Sequence, residues 1–495
     1  MKKILTVALT LLLVGCASVP SGENVSYSIQ TEENVQNTQQ TADPGQNSTE
    51  SGTDLPDTQD SAENDDLGEP NQVEEDLRER AEAGKPEVVD APNVAEYALS
   101  SEIVDDGICK LREVSGAVGS SFPRSSTIKV PIIGTVKMQV VYLQWGDLPG
   151  TGGDYDYHVQ ELNKARDFYR VMSEGKFNLD ITYADTWATV DGSYKDFYTS
   201  DYMADARPDT AEHLQFVVDA FIDATDDTVD YSDMDVIFFA FPRAEMIVQG
   251  GGMHIFDIAD YVLARTDEGI VRNMFSLGSA AYDHAYSDLG WATFVHEFGH
   301  TLRIPDLRDW SDGKDQLRGD DFQMYLVNPM YGFDIMDNQA AGTRSISGWI
   351  KWIQGWLNDS QVTCVDAATV NSEYYRLDEA NLMNADNELL VVRLSDTKAL
   401  AIESRRWDSR FDLPVQNSRD GVIVYVVDAT RGHAEGPLKL LSPRDITRYL
   451  SQDGVWPDWR MLDVVLFEGD SVTYDGVTVT VENSRSNEDI VRVSR

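Results

Sequence analysis

The chain has 495 residues, with 85 Asp and Glu against 40 Lys and Arg, which leaves a formal charge of -45. Phosphate backbones are held by neutralising cations, so this balance excludes a nucleic-acid-binding surface as the default reading. Apolar residues make up 42% and aromatics 10%, which excludes a wholly disordered protein and suits two or three domains around at least one large core.

Residues 1–16 read as a targeting segment, in which Lys2 and Lys3 precede an apolar run, Ile4 to Val14, that is short for a bilayer span. The run ends in Leu13-Val14-Gly15-Cys16, which resembles the bacterial lipobox. That resemblance implies an acylated Cys16 as mature N-terminus and a lipid anchor at the bacterial cell envelope, outside the cytoplasm. No later apolar run approaches the roughly 18 residues of a transmembrane helix. Residues 17–95 are rich in Ser, Thr, Asn, Gln, Pro and acids, with 19 acidic and 3 basic residues between Ala17 and Asp90. Self-repulsion then predicts an extended acidic tether without a core of its own.

Apolar periodicity returns over residues 96–357. Val136 to Trp145 reads as a buried strand, Val159 to Met172 as a helix, Phe177 to Tyr183 as a strand, Thr210 to Thr225 as a helix and Met234 to Phe241 as a second buried strand. Gly250, Gly251 and Gly252 mark a loop, and Asp288 is a candidate N-cap for the next helix.

That helix carries His296-Glu297-Phe298-Gly299-His300. Four residues of separation put both imidazoles on one helix face, within reach of one metal, while Trp291, Phe294, Val295, Phe298 and Leu302 form an apolar stripe beside them. Glu297 points near the same cleft without having to ligate. Zinc held by three protein ligands keeps a position for water, whose pKa falls toward about 7, and a neighbouring carboxylate can take its proton. Pro305 favours ending the helix, and Gly332-Phe333-Asp334-Ile335-Met336-Asp337 follows downstream, a Met turn of the kind found behind zinc-binding helices, with Met336 as its methionine.

Together these residues resemble the M6 family of metallopeptidases, the family of immune inhibitor A, in its HExxHxxGxxD arrangement and Met segment. The likeness covers roughly residues 130 to 430 and extends to Phe168 to Lys176, Ala401-Ile402-Glu403-Ser404-Arg405 and Gly421 to Asp428. It implies an α/β zincin (metzincin-like) catalytic domain over 96–357, zinc as cofactor, His296 and His300 as metal ligands, and Glu297 as general base for peptide hydrolysis. Two candidates remain for the third ligand. Asp306 follows the helix stop, where metzincins deliver theirs; Glu403 lies about a hundred residues on and would close the site as a gluzincin Glu does. Connectivity and Met336 favour Asp306. The chain departs from the family at Arg303, where a Gly normally permits a left-handed turn, so a pseudoenzyme is an open alternative.

Other residues carry weaker signals. His158, His213, His254, His284 and His433 have no paired spacing and read as structural; Trp349, Trp352 and Trp356 recur at helical spacing and read as core. Tyr325 and Tyr331 are candidate oxyanion donors. Asp309, Asp312, Asp315, Asp320 and Asp321 offer hard oxygens suited to Ca2+, though solvated charge is the simpler reading. Residues 358–495 hold short alternating runs, Glu388 to Leu394, Ala399 to Glu403, Gly421 to Val427, Met461 to Phe467, Ser471 to Glu482 and Ile490 to Val493, which predict a β-rich, sandwich-like C-terminal domain. Cys109 and Cys364 form an even pair that could bridge the two regions in an oxidising compartment. The expected function is a surface-anchored zinc endopeptidase acting on extracellular proteins or peptides. A zinc-containing surface-binding or adhesion protein without turnover is the competing class, and Glu297 separates them, because a structural site has no use for a base.

The lipobox generates a test of placement. Cys16→Ser is expected to release the protein from the membrane fraction or leave it unprocessed, as read by fractionation and mass spectrometry; unmutated protein free in the medium and lacking a lipid would rule the anchor out.

Overall fold

The computed structural model describes residues 106–114, 119–123, 130–197, 211–243, 254–255, 263–277, 290–311, 327–339, 343–383, 385–408, 410–412, 420–444 and 464–495. The expectations for Cys16, the tether, Gly250 to Gly252, His284, Asp288, Tyr325 and the acids from Asp312 to Asp321 lie outside the described residues. Among those described, no helix is long and apolar enough to cross a membrane.

The fold is mixed α/β with several sheets. Strands β1 (Gly134–Gln144), β2 (Phe177–Thr189), β3 (Val236–Ala240), β4 (His254–Ile255) and, after a two-stranded ribbon of β5 (Ala264–Thr266) and β6 (Gly269–Val271), β7 (Asn273–Ser276) build the first sheet, in the order β2-β1-β3-β7-β4. Its pairings are parallel except β4 with β7. A parallel pair needs a long crossover, and helix α1 (Gly152–Met172) supplies it between β1 and β2. Thr151 starts α1 with a capping box: its hydroxyl accepts from Asp154 N, and Asp154 Oδ2 accepts from Thr151 N at 3.0 Å. Strand alternation then splits the core. Met138, Val140, Tyr142 and Phe238 join one apolar cluster; Val141, Leu143, Ile237 and Phe239 join another on the opposite face with Val218 and Phe221 of α2 (Ala211–Asp223).

The helix with the paired histidines, α3 (Gly290–Thr301), is placed by α1. The Glu161 carboxylate accepts from Trp291 N at 2.7 Å, satisfying a first-turn donor that a buried helix start would otherwise leave orphaned. The Tyr169 hydroxyl donates to Val295 O, and a side chain at Gly290 would overlap Tyr157. After α3 the chain turns back through α4 (Gly348–Ile353), where Trp349, Trp352 and the following Trp356 are buried.

The C-terminal strands are β8 (Val362–Asp366), β9 (Ser372–Asp378), β10 (Leu389–Arg393), β11 (Lys398–Arg405), β12 (Gly421–Asp428), β13 (Leu438–Leu440), β14 (Ser471–Tyr474), β15 (Val477–Ser484) and β16 (Glu488–Ser494). They form two sheets, β13-β12-β11-β10-β8 and β14-β15-β16-β9, which share one apolar core. The other face of the five-stranded sheet, with Val391, Ala401, Ile423 and Tyr425, belongs to the same core as α1 and α3, so packing runs across residue 357 without a break. Cys109 and Cys364 form a disulfide with Cα atoms 5.9 Å apart, tying the segment before β1 to β8. Two expectations change. The run Ser471 to Glu482 is a hairpin, because Asp475 and Gly476 both take positive φ (49° and 78°), the two-residue turn that matches strand twist. Of Met461 to Phe467 only Val464 onward is described, and there Leu466 makes an isolated bridge to Val422.

α3 closes with Arg303 N donating to His300 O at 2.8 Å and Ile304 N to Gly299 O at 2.9 Å, the Schellman pattern, with Arg303 at φ 60°. Gly119 packs on this turn: a Cβ there would stand 3.3 Å from Arg303 O and Pro305 Cδ. Arg303 therefore adopts a left-handed conformation that glycine reaches freely, at a cost of about 1 kcal/mol, and among the described residues its buried Nε has no hydrogen-bond partner. Arg303→Gly is expected to stabilise the fold by about 1 kcal/mol in urea denaturation. A neutral or destabilising result would show that the Arg303 side chain earns its place by packing.

Candidate metal centre

Every residue of α3 is buried except His300, whose side chain is 12% exposed. His296 Nδ1 lies 2.9 Å from Ile335 O, and His300 Nδ1 lies 3.0 Å from Ile304 O. A carbonyl only accepts, so each Nδ1 carries a proton and each neutral ring turns an Nε2 lone pair inward, the tautomer a metal ligand requires. Asp306, fully buried, sets Oδ1 3.2 Å from His296 Nε2 and 3.9 Å from His300 Nε2, and Glu297 Oε1 lies 3.9 Å from His296 Nε2. Ligating atoms of His296, Glu297 and His300 all lie within 4.8 Å of one another.

This is an arrangement of acceptors. Among the described residues neither buried Asp306 oxygen has a hydrogen-bond donor, which is costly unless a cation or proton lies between them and the imidazoles. Two ligands on a tetrahedral zinc stand about 3.3 Å apart for bonds of about 2.0–2.1 Å, and the His296–Asp306 separation matches. Charge is set accordingly. Burial would raise the Asp306 carboxyl, but His296, Arg308 and His300 outweigh it and hold it well below the usual carboxylate range. Burial pushes the His300 imidazole down to about 3, so its lone pair is free at neutral pH. Burial also opposes charge on His296, yet Asp306 and Glu297 overcome it and raise its pKa. A proton on His296 bridges one pair of these groups; a divalent cation could hold all three. His296, His300 and Asp306 thus fit zinc, and Glu297 lies within the same cluster.

The Met segment lies against the helix. A Cβ on Gly299 would come within 2.8 Å of Met336 Sδ, so the glycine between the histidines makes room for the methionine. Asp334 holds this turn by accepting from Met336 N at 2.9 Å and Ser347 N at 2.7 Å; Asp337 accepts from Gly332 N at 2.8 Å and Met330 N at 3.3 Å. Burial pushes the Asp337 carboxyl up to about 7, the cost of placing a carboxylate where its backbone partners demand it.

Glu403 is placed elsewhere. Its Oε1 accepts from Gly348 N at 2.8 Å and from the Tyr425 hydroxyl, while Oε2 pairs with Arg405 Nε at 3.1 Å. Glu403 thus contacts Gly348, Tyr425 and Arg405, whereas Asp306 is the acid beside His296. Tyr331 is half-buried and packs on the main core. Asp309 accepts from Ser311 N at 3.1 Å and faces Arg431, a local loop pairing. His158 is buried with Nε2 2.7 Å from Phe241 O, in keeping with a structural histidine; the side chains of His213 and His254 lie outside the description.

Two more residues reach this cluster: Arg308, which the sequence did not single out, and His433, which it read as structural. Arg308, buried, donates from Nε to Asp337 O at 3.1 Å and lowers the Asp306 pKa. His433 stands with its ring centroid 5.5 Å from that of His300 and its Nδ1 3.1 Å from Asp306 N. Neither has periodic spacing to the helix, and the one local hint for His433 is its turn between Gly432 and Gly436, just past β12.

No family model matches the chain, and no curated protein matches it. Among solved structures it is similar to wild-type OgpA from Akkermansia muciniphila, at 12% identity and a TM-score of 0.23, over 66% of this chain and 96% of that one. A likeness that slight says nothing of this chain's chemistry, which stands on the centre itself.

Proposed function

We propose that the protein is a zinc-dependent endopeptidase with a metzincin-like zincin core and a sandwich-like C-terminal pair of sheets, held at the bacterial surface through Cys16. The observation that carries this is the buried set of His296, His300 and Asp306, with both imidazoles in the ligating tautomer and the Glu297 carboxylate beside them. Zinc bound there would polarise a peptide carbonyl and bring the pKa of a water toward about 7. Glu297 takes the proton from the attacking water and delivers it to the leaving amine as the C–N bond breaks, so protons balance within one turnover. Ile335 O and Ile304 O keep both histidines from turning, and the buried helix excludes bulk water behind them.

An adhesion protein with a structural zinc would need a fourth protein ligand and no base. His433 is near enough to raise that reading, but its Nδ1 accepts from Asp306 N–H, which leaves Nε2 protonated and poorly suited to ligate.

Two experiments test the proposal. Glu297→Gln should keep stoichiometric zinc while turnover on a denatured protein substrate falls about 100 to 10,000-fold, and a chelator should abolish wild-type cleavage; zinc-loaded wild type that cleaves nothing across a broad peptide library would leave the adhesion reading standing. For the ligand set, Asp306→Ala should lose zinc from a folded protein. Glu403→Ala should instead lower stability, by about 3–5 kcal/mol, because it strands Arg405, and any of it that remains folded should hold zinc. The reverse pattern would move the third ligand to Glu403.

A further inference from the structure

After β12 the chain turns through Arg431-Gly432-His433-Ala434-Glu435-Gly436 before β13, and this turn is paired along the segment that follows α3. Ala434 N donates to Asp306 O, Trp310 N to Ala434 O and Gly436 N to Arg308 O, each at 2.9 Å, and Asp309 and Glu435 form an antiparallel bridge. The seat is close: a Cβ on Gly436 would stand 2.9 Å from Asp309 Cβ. Ala434 is held at φ 58°, a conformation that disfavours any residue with a Cβ and persists only where the surroundings impose it. On its outer side the turn is tied to the chain before β1, where Ser120 Oγ donates to Arg431 O at 2.6 Å.

His433 Nδ1 accepts from Asp306 N–H at 3.1 Å. An amide N–H only donates, so the neutral His433 ring has its lone pair on Nδ1 and its proton on Nε2, the reverse of His296 and His300. That Nε2 lies 3.9 Å from Asp306 Oδ2 and is buried without a hydrogen-bond partner, although the side chain as a whole is 35% exposed. The turn therefore grips both polar groups of the Asp306 residue, its N–H by the His433 ring and its C=O by the Ala434 N–H.

We propose that His433 is the positioning residue of the third metal ligand, so that the C-terminal sheets supply a working part of the centre. The inference rests on reading His296, His300 and Asp306 as ligands. With its backbone held on both sides, Asp306 directs its carboxylate at the two imidazoles, and the His433 Nε2–H places a donor toward its outer oxygen. Partners that orient a ligand in this way typically account for about 10–100-fold in metal affinity.

The test uses the full chain and zinc alone, with affinity read by competition against a chromophoric chelator. His433→Leu removes the acceptor and is expected to weaken zinc binding about 10–100-fold; His433→Asn, whose Oδ1 can occupy the Nδ1 position, is expected to stay near wild type. Equal affinity in His433→Leu and wild type, or equal loss in Asn and Leu, would overturn the positioning role. Ring nitrogen NMR of the unmutated, 15N-histidine-labelled protein decides the geometry even if His433→Leu does not fold: His433 should show an Nε2–H tautomer both without and with zinc. An Nδ1–H tautomer in the zinc-free protein, or loss of the Nε2 proton on zinc addition, would make it a bystander or a fourth ligand and overturn the proposal. Failure of the wild type to bind zinc would sink the peptidase reading, and the zinc-free spectrum would still say whether His433 holds Asp306 as described.

Discussion

The Nε2 atoms of His296 and His300 and the carboxylate of Asp306 are held together in a buried space. These groups would separate or share a proton if they were free to move, because acceptors brought together out of water are poorly solvated. They are not free. Each histidine is tethered at Nδ1 by a backbone carbonyl, and Asp306 is held at both its backbone N–H and its C=O. Folding energy from elsewhere thus offsets the cost of bringing these groups together at one point.

The supply of that energy explains the architecture around the site. α3 is buried on all sides but one, and α1 meets it at both a first-turn donor and a mid-helix carbonyl, through Glu161 and Tyr169. The Met segment packs beside α1 on the same helix, where Gly299 leaves space for Met336 near the Tyr169 hydroxyl and the aspartates at 334 and 337 organise the turn. The five-stranded C-terminal sheet uses alternate residues of the same strands for two purposes. Ala401 and Ile423 enter the core beneath α3, whereas Ile402 and Val424 pack against the outer sheet. The Cys109–Cys364 bridge and the Trp349 Nε1–Ser120 O hydrogen bond fasten the chain before β1 to this assembly. One consequence is that the cluster of His296, His300 and Asp306 and the C-terminal strands are not separable parts. The described residues from 106 onward fall in one compact unit.

Arg303 illustrates how such a frame accommodates a departure from pattern. Its left-handed backbone is imposed by the two hydrogen bonds that close α3 and by the packing of Gly119 on the same turn. The turn carries a long side chain in a conformation that suits glycine, and Asp306 arrives beside His296.

What the sequence determined by itself is what depends on short separations. Helical spacing of His296, Glu297 and His300 and the apolar stripe beside them follow from a period of 3.6, and the buried strands β1, β3, β10, β11 and β12 from short apolar runs. A hairpin at Asp475-Gly476 was equally local but hidden inside an alternating run. Only the tertiary structure decided which acid faces the histidines and which is spent on Arg405, since both candidates are acids in plausible places and their partners are set by packing. It alone also brought His433 to Asp306 across 127 residues and reversed its tautomer relative to the helix pair. The physical reason is that a ring's protonation and a carboxylate's direction are fixed by single hydrogen bonds to distant backbone, and such bonds leave no period in a chain.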